Sequence, residues 1–112
     1  MFRNPFKSNP SHHNLRPHEA QEWIQKGAHI IDVREPWEYQ QGHVPGAVNL
    51  PLGQLPERLH HLPKDRPLLV VCASGARSAR AAAFLVAQGF TQVANLLGGT
   101  HGWMQAGLPI KR

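Results

Sequence analysis

Leu68-Leu69-Val70-Val71-Cys72-Ala73-Ser74-Gly75-Ala76-Arg77-Ser78 is the stretch that decides how this chain is read. Its first five residues are apolar without interruption. A run of that length, apolar on both faces, is the pattern of a strand in the middle of a parallel sheet. Small residues follow, and then Arg77 to Gln88, where alanines with Phe84, Leu85 and Val86 predict a helix that Gly89 closes. Strand, tight loop and helix succeed one another within some twenty residues. Cys72 is therefore expected at the carboxyl end of a central strand, where open α/β sheets bind their ligands.

The same alternation extends outward. Towards the N-terminus, His29 to Val33 reads as a buried strand, Pro36 to Gln41 as a short helix ended by Gly42, and Ala47 to Leu50 as a second short strand. Before them, Pro17 suits the first turn of a helix that carries Ala20, Trp23 and Ile24 on one face and stops at Gly27. Leu52 to Leu59 is expected to be helical. Beyond the alanine-rich helix, Val93 to Leu96 reads as a strand and His101 to Ala106 as a last short helix. Strands alternating with helices predict an α/β fold with a mainly parallel sheet covered on both faces. With 112 residues, 41% hydrophobic and 17% charged, the chain suits one domain with one modest core. Residues 15–112 are assigned to it. Residues 1–14, with Pro5, Pro10, three asparagines and no periodicity, read as a flexible basic arm on which Phe2 or Phe6 could dock.

Charge narrows the partners. The net charge is +5, and it is unevenly placed. Arg3, Lys7 and Arg16 stand in the first 16 residues without an acid, and all seven acids lie between Glu19 and Asp65. From Arg66 to Arg112 there are five basic residues and no carboxylate, a field that favours small anions. The basic residues are spread out and are not interleaved with aromatics, so nucleic acid is not an expected partner. The longest apolar stretches, Leu68 to Ala73 and Ala81 to Ala87, fall far short of the ~20 residues that span a bilayer. No apolar run of signal-peptide length occupies the first 16 residues. The expectation is a soluble, unexported protein of the cytoplasm, with no membrane partner.

Cys72 is the only cysteine, which excludes an intrachain disulfide and a cysteine-rich zinc site. Its loop gives it more than a packing role. A turn of small residues, Ala73, Ser74, Gly75 and Ala76, can aim several backbone N–H groups inward as an anion-binding nest. Gly75 permits a backbone conformation closed to other residues. The helix that follows contributes the positive end of its dipole, and Arg77 a planar fork of donors. Each favours a thiolate over a thiol at Cys72. A thiolate attacking an anion meets repulsion of about 4 kcal/mol at ~4 Å in an effective dielectric near 20. Such a cradle offsets that cost and stabilises a leaving anion.

The residues of this loop, Cys72, Gly75, Arg77 and Ser78, match C-x-x-G-x-R-S, and here the chain resembles the rhodanese family, specifically its single-domain thiosulfate sulfurtransferases. Companion motifs occur in order: Asp32-Val33-Arg34, Glu38-Tyr39, Gly42-His43-Val44, Gly46-Ala47 and Asn49-Leu50-Pro51, then Gly98-Gly99, Trp103 and Ala106-Gly107-Leu108-Pro109. The resemblance covers about residues 15–110. It implies a five-stranded parallel sheet with helices on both faces. It also implies that Cys72 takes the outer sulfur of thiosulfate as a persulfide and passes it to cyanide, a thiol or a dithiol protein, with no metal or organic cofactor. Arg77 and the backbone of Ala73, Ser74, Gly75 and Ala76 are the implied substrate-binding groups.

Other readings have less behind them. Cysteine phosphatases use C-x5-R, and Cys72 and Arg77 enclose only four residues. Non-catalytic interaction modules on this fold usually lose the cysteine or the loop pattern, and both are present here. A sulfurtransferase acting on arsenate or polysulfide shares the loop chemistry. Asp32, Arg34, Glu38 and His43 read as structural: Arg34 and Glu38 as near neighbours able to pair, Asp32 as an acceptor of backbone N–H bonds, His43 as a brace for the turn before Pro45. Trp103 is expected to pack the last helix. His12–His13 and His60–His61 are not assigned to a metal, because adjacent side chains point apart on a helix or strand.

Overall fold

The apolar run before Cys72 is strand β4, Leu68–Val71, and all four of its residues are buried. The structure, a computed structural model, describes residues 11–112. On one side β4 pairs with β5 (Val93–Leu96), on the other with β2 (His29–Asp32). Beyond β2 lies β3 (Val48–Asn49), and beyond β5 lies β1 (His13–Leu15). The five strands are all parallel, in the order β1-β5-β4-β2-β3.

Four of these strands coincide with the apolar runs of the sequence. The fifth, β1, takes in His13 and Asn14, which the sequence reading placed in the arm. It lies on the sheet edge, and only Leu15 of its three residues is buried, so it carries no apolar signature. The ordered part therefore begins before Leu15. The docking of Phe2 or Phe6 lies outside the described residues.

Helices α1 (Pro17–Gln25), α2 (Pro36–Gln41), α3 (Ala76–Ala87) and α4 (Gly99–Gln105) connect and cover the strands. Pro17 and Pro36 each open a helix, where a missing N–H costs nothing. Leu52–His61 is a 3₁₀-helix rather than an α-helix, with Pro56 inside it. Proline lacks the N–H that an α-helix interior needs.

Side-chain alternation along β4 divides the core. Leu68, Val70 and Cys72 face one way and pack with Ile31, Val33, Leu55, Ala81, Leu85 and Val93. Leu69 and Val71 face the other way, towards Ala20, Ile30, Ala94, Leu96 and Trp103. Each fully buried Leu or Val contributes about 1.5–3 kcal/mol. This parity carries Cys72 onto the face that α3 and the 3₁₀-helix cover.

Candidate active site

Cys72 directly follows β4, and its residue is 1% exposed. The chain then turns within three residues. Gly75 has φ +107°, a left-handed conformation that glycine alone adopts cheaply, and it caps α3. This turn folds the Gly75 N–H back to 3.0 Å from Cys72 Sγ. One turn into α3, Ser78 is fully buried and its Oγ lies 3.3 Å from the same sulfur. Burial pushes the Cys72 pKa up, but the Ser78 hydroxyl and the amides of Ser78, Gly75 and Ser74 together pull it further down, so the net shift favours the thiolate.

The loop is held from behind by α4. Thr100 donates to the Cys72 carbonyl through both its N–H (2.8 Å) and its Oγ1 (3.1 Å), and the His101 N–H donates to the Ala73 carbonyl (3.1 Å). With these carbonyls drawn towards α4, the Gly75 amide is left to face the sulfur. The approach is possible only because residue 99 is glycine: a Cβ there would lie 2.5 Å from backbone atoms of Cys72 and Ala73, and φ is +59°. The Gly98-Gly99 motif was visible in the sequence. Its contact with the Cys72 loop was not, because 25 residues of chain separate Ala73 from Gly99.

Arg77 does not stand free. Both its terminal nitrogens donate to Glu38 of α2, each at 2.8 Å. Glu38 also accepts the Glu35 N–H (3.0 Å), which caps α2. Its carboxyl is held down to about 2, chiefly by the Arg77 hydrogen bonds. The pairing of Arg34 with Glu38 expected from the sequence is thereby corrected. Arg34 instead turns to Asp32, at 2.8–3.1 Å, and to the Gly42 carbonyl. Arg34 and Asp32 are both buried, and a buried guanidinium must find acceptors inside the fold. Asp32 also accepts the Arg34 N–H, as its position at the end of β2 suggested.

The other marked residues fall into place around this core. Ser74 and Ala76 are exposed on the rim of the loop, and Ala73 is half-buried. His43 stacks on Tyr39 and bonds its carbonyl. Trp103 is buried and donates to the Pro109 carbonyl at 2.7 Å. His60 and His61 do not point fully apart, as expected of adjacent side chains. Their ring centroids are 4.2 Å apart, with the two planes tilted by 50°. Among the described residues no three His, Cys, Asp or Glu side chains converge to hold a metal ion, and no helix is long and apolar enough to cross a membrane.

The site also uses residues that sequence reasoning left out. Asn95 of β5 is buried and faces the Ser78 hydroxyl through its Oδ1. Only its polarity within an otherwise apolar run, Val93 to Leu96, marked it in the sequence.

Comparison with known proteins agrees with this geometry. Residues 16–106 match the Rhodanese-like domain family. A sulfurtransferase of Allochromatium vinosum is 46% identical over 72% of this chain and 76% of its own length. A thiosulfate sulfurtransferase GlpE of Pseudomonas syringae is 38% identical over 80% of this chain and 84% of its own. The crystal structure of a rhodanese-related protein from Thermoplasma volcanium superposes with a TM-score of 0.82 at 33% identity, covering 89% of this chain and 98% of that one.

Proposed function

The chain belongs to the rhodanese-like domain family and is a sulfurtransferase; from that premise we propose that Cys72 carries the transferred sulfur as a persulfide taken from thiosulfate. The observation that carries this reading is the double hold on Cys72 Sγ, by the Gly75 N–H at 3.0 Å and the Ser78 hydroxyl at 3.3 Å. An anion is favoured at that position when Cys72 attacks, as thiolate, and again when it leaves the persulfide as thiolate.

In the first half-reaction the Cys72 thiolate attacks the outer sulfur of thiosulfate. A bond forms between the two sulfurs. The sulfur–sulfur bond of thiosulfate breaks, and sulfite leaves with the electron pair. Cys72 then bears S–S⁻, with no proton gained or lost. In the second half-reaction an acceptor thiolate or cyanide attacks the terminal sulfur and leaves with it, and the Cys72 thiolate returns. Two half-reactions through one covalent intermediate give ping-pong kinetics. A terminal sulfur suits this site because it offers one atom, not a substituted centre, to a nucleophile only 1% exposed.

The backbone from Ala73 to Ala76 forms the rim over which the donor enters. Arg77 binds the donor anion with the guanidinium N–H groups that Glu38 leaves free, since that pair uses one from each terminal nitrogen of a group with five. The expected acceptors are cyanide in the assay and a thiol or dithiol protein in the cell. A single reactive thiol of this kind belongs in a reducing compartment, and the cytoplasm is the proposed one. The test is an intact-mass measurement after incubation with thiosulfate. The protein should gain one sulfur atom, lose it to cyanide or dithiothreitol, and gain none as Cys72→Ser. An unchanged mass would overturn the mechanism.

A further inference from the structure

Three hydrogen-bonded side chains lead away from Cys72 through the interior: Ser78 Oγ, then the Asn95 amide, then Asn14 on β1. Ser78 and Asn95 are buried, at 0% and 3% exposure, and Asn14 is exposed at the sheet edge. As the side chains stand, Asn95 Oδ1 faces Ser78 Oγ, and Asn95 Nδ2 donates to Asn14 Oδ1 at 3.2 Å. The hydroxyl of Ser78 owns a single proton but lies within reach of three acceptors: Asn95 Oδ1, Cys72 Sγ and the Gly75 carbonyl. In this orientation Asn95 competes with the sulfur for that proton. A half-turn of the two amides reverses every donor in the chain. Asn14 then donates to Asn95 Oδ1, Asn95 Nδ2 donates to Ser78 Oγ, and Ser78 has its proton to give to the sulfur.

We propose that Asn95 is a positioning residue for the sulfur-transfer reaction: when Cys72 is a thiolate, the Asn95 amide turns to donate to Ser78 and so commits the Ser78 proton to the sulfur. The inference rests on Cys72 being the nucleophile. The driving force is electrostatic. A donor chain ending on an anion is stronger than one ending on a neutral thiol, and each bond polarises the next. The amide turn costs little, because each orientation makes the same number of hydrogen bonds. Asn14, open to solvent, can supply a donor or an acceptor at the far end in either orientation. An apolar residue at position 95 would continue the pattern of β5, whose other three residues, Val93, Ala94 and Leu96, are apolar. A polar amide there has its partners on Ser78 and Asn14 alone.

The charged and titratable groups on the elements around Cys72 are His13 of β1, His29 and Asp32 of β2, Arg34 after it, Glu38 and Tyr39 of α2, Glu57, Arg58, His60 and His61 of the 3₁₀-helix, Arg77 and the exposed Arg80 of α3, and His101 of α4. Asp32 pairs with Arg34, and Glu38 pairs with Arg77. None of them hydrogen-bonds Asn95, so a substitution at 95 leaves their partners in place.

The test is Asn95→Leu, which keeps the side-chain shape and removes both donor and acceptor. The readout is the pH midpoint of Cys72 alkylation by a neutral reagent, measured in the wild type, Asn95→Leu, Ser78→Ala and the double variant. We expect Asn95→Leu to raise the midpoint by about half a pH unit to one unit. Sulfur transfer below the midpoint should fall three- to tenfold and recover at higher pH. In the Ser78→Ala background the Leu substitution should add nothing, since Asn95 acts through Ser78. A lowered midpoint in Asn95→Leu would mean that Asn95 takes the Ser78 proton away from the sulfur. An unchanged midpoint would mean that Asn95 only fills its place in β5. Either overturns the proposal, as does an equal rise with and without Ser78. If the Leu variant fails to fold, Asn95→Ala takes its place with the same expected sign. Failure of Cys72→Ser to abolish persulfide formation is a separate outcome, which would remove the underlying mechanism instead.

Discussion

Replacing Glu38 by Gln tests the ion pair that ties α2 to the first turn of α3. The substitution leaves an oxygen to accept the Glu35 N–H, so the cap of α2 survives, while the charge that Arg77 grips is removed. The Glu38 carboxyl lies at about 2 in the folded protein, against 4.5 ordinarily, with the Arg77 hydrogen bonds as the largest cause. At 1.36 kcal/mol per unit, that difference corresponds to about 3 kcal/mol. The Arg77 side chain is 37% exposed and that of Glu38 17%, so solvent screening reduces it to about 1 kcal/mol. The sign follows from the lowered pKa. The unfolded chain binds this proton more readily, so the pair stabilises the fold fully above 4.5, and the contribution is lost as the pH falls through about 2. The assay is urea unfolding followed by tryptophan fluorescence, to which the buried Trp103 contributes. At pH 7, Glu38→Gln should unfold at about 0.5–1 M less urea, for a slope of roughly 1–2 kcal/mol per molar. The gap should close as both proteins are titrated from pH 5 towards pH 2. Equal midpoints at pH 7, or a gap that does not change with acid, would show that the pair contributes nothing and that Arg77 is held by other means.

Further outcomes are expected at the site itself. Ser78→Ala removes one hydrogen bond to a charged sulfur, an interaction of about 1.5–3 kcal/mol, so the Cys72 alkylation midpoint should rise by about one to two pH units. Arg77→Ala should lower kcat/KM for thiosulfate at least tenfold, with Arg77→Lys in between, yet move the Cys72 midpoint less than Ser78→Ala does, because the thiolate is held chiefly by hydroxyl and amide donors. Gly99→Ala places a Cβ 2.5 Å from the backbone of Cys72 and Ala73 at positive φ, and should cost roughly 2–4 kcal/mol of stability and most of the sulfur transfer, read by thermal unfolding and a thiocyanate assay. Aryl phosphate hydrolysis through Cys72 should be negligible beside sulfur transfer; comparable rates would mean that a loop enclosing four residues between Cys72 and Arg77 does accommodate a phosphoryl group.

By itself the sequence determined the elements whose stability is local or whose burial is complete. The apolar run ending at Cys72 has the length and β-branched content of a buried strand, the alanine-rich segment after Arg77 favours a helix wherever it is placed, and together they put a small-residue turn and its cysteine at the carboxyl edge of a parallel sheet. The motifs on either side named the family. What the sequence left open was every pairing between residues far apart in the chain. Glu38 could meet Arg34 at four residues' distance, but the fold gives it Arg77 across α2 and α3 and buries Arg34 against Asp32. Strand β1 has no apolar pattern of its own and becomes a strand because β5 offers it an open edge. Gly99 is recognisable as a motif glycine, yet the reason no side chain fits there is the backbone of Cys72 and Ala73, brought against it by the parallel order of β4 and β5. Asn95 looks like a flaw in an apolar strand until Ser78 and Asn14 are set on either side of it. Periodicity and composition report what a segment buries; a hydrogen bond depends on which donor reaches which acceptor within about 3 Å, and that distance is set only when the whole chain has packed.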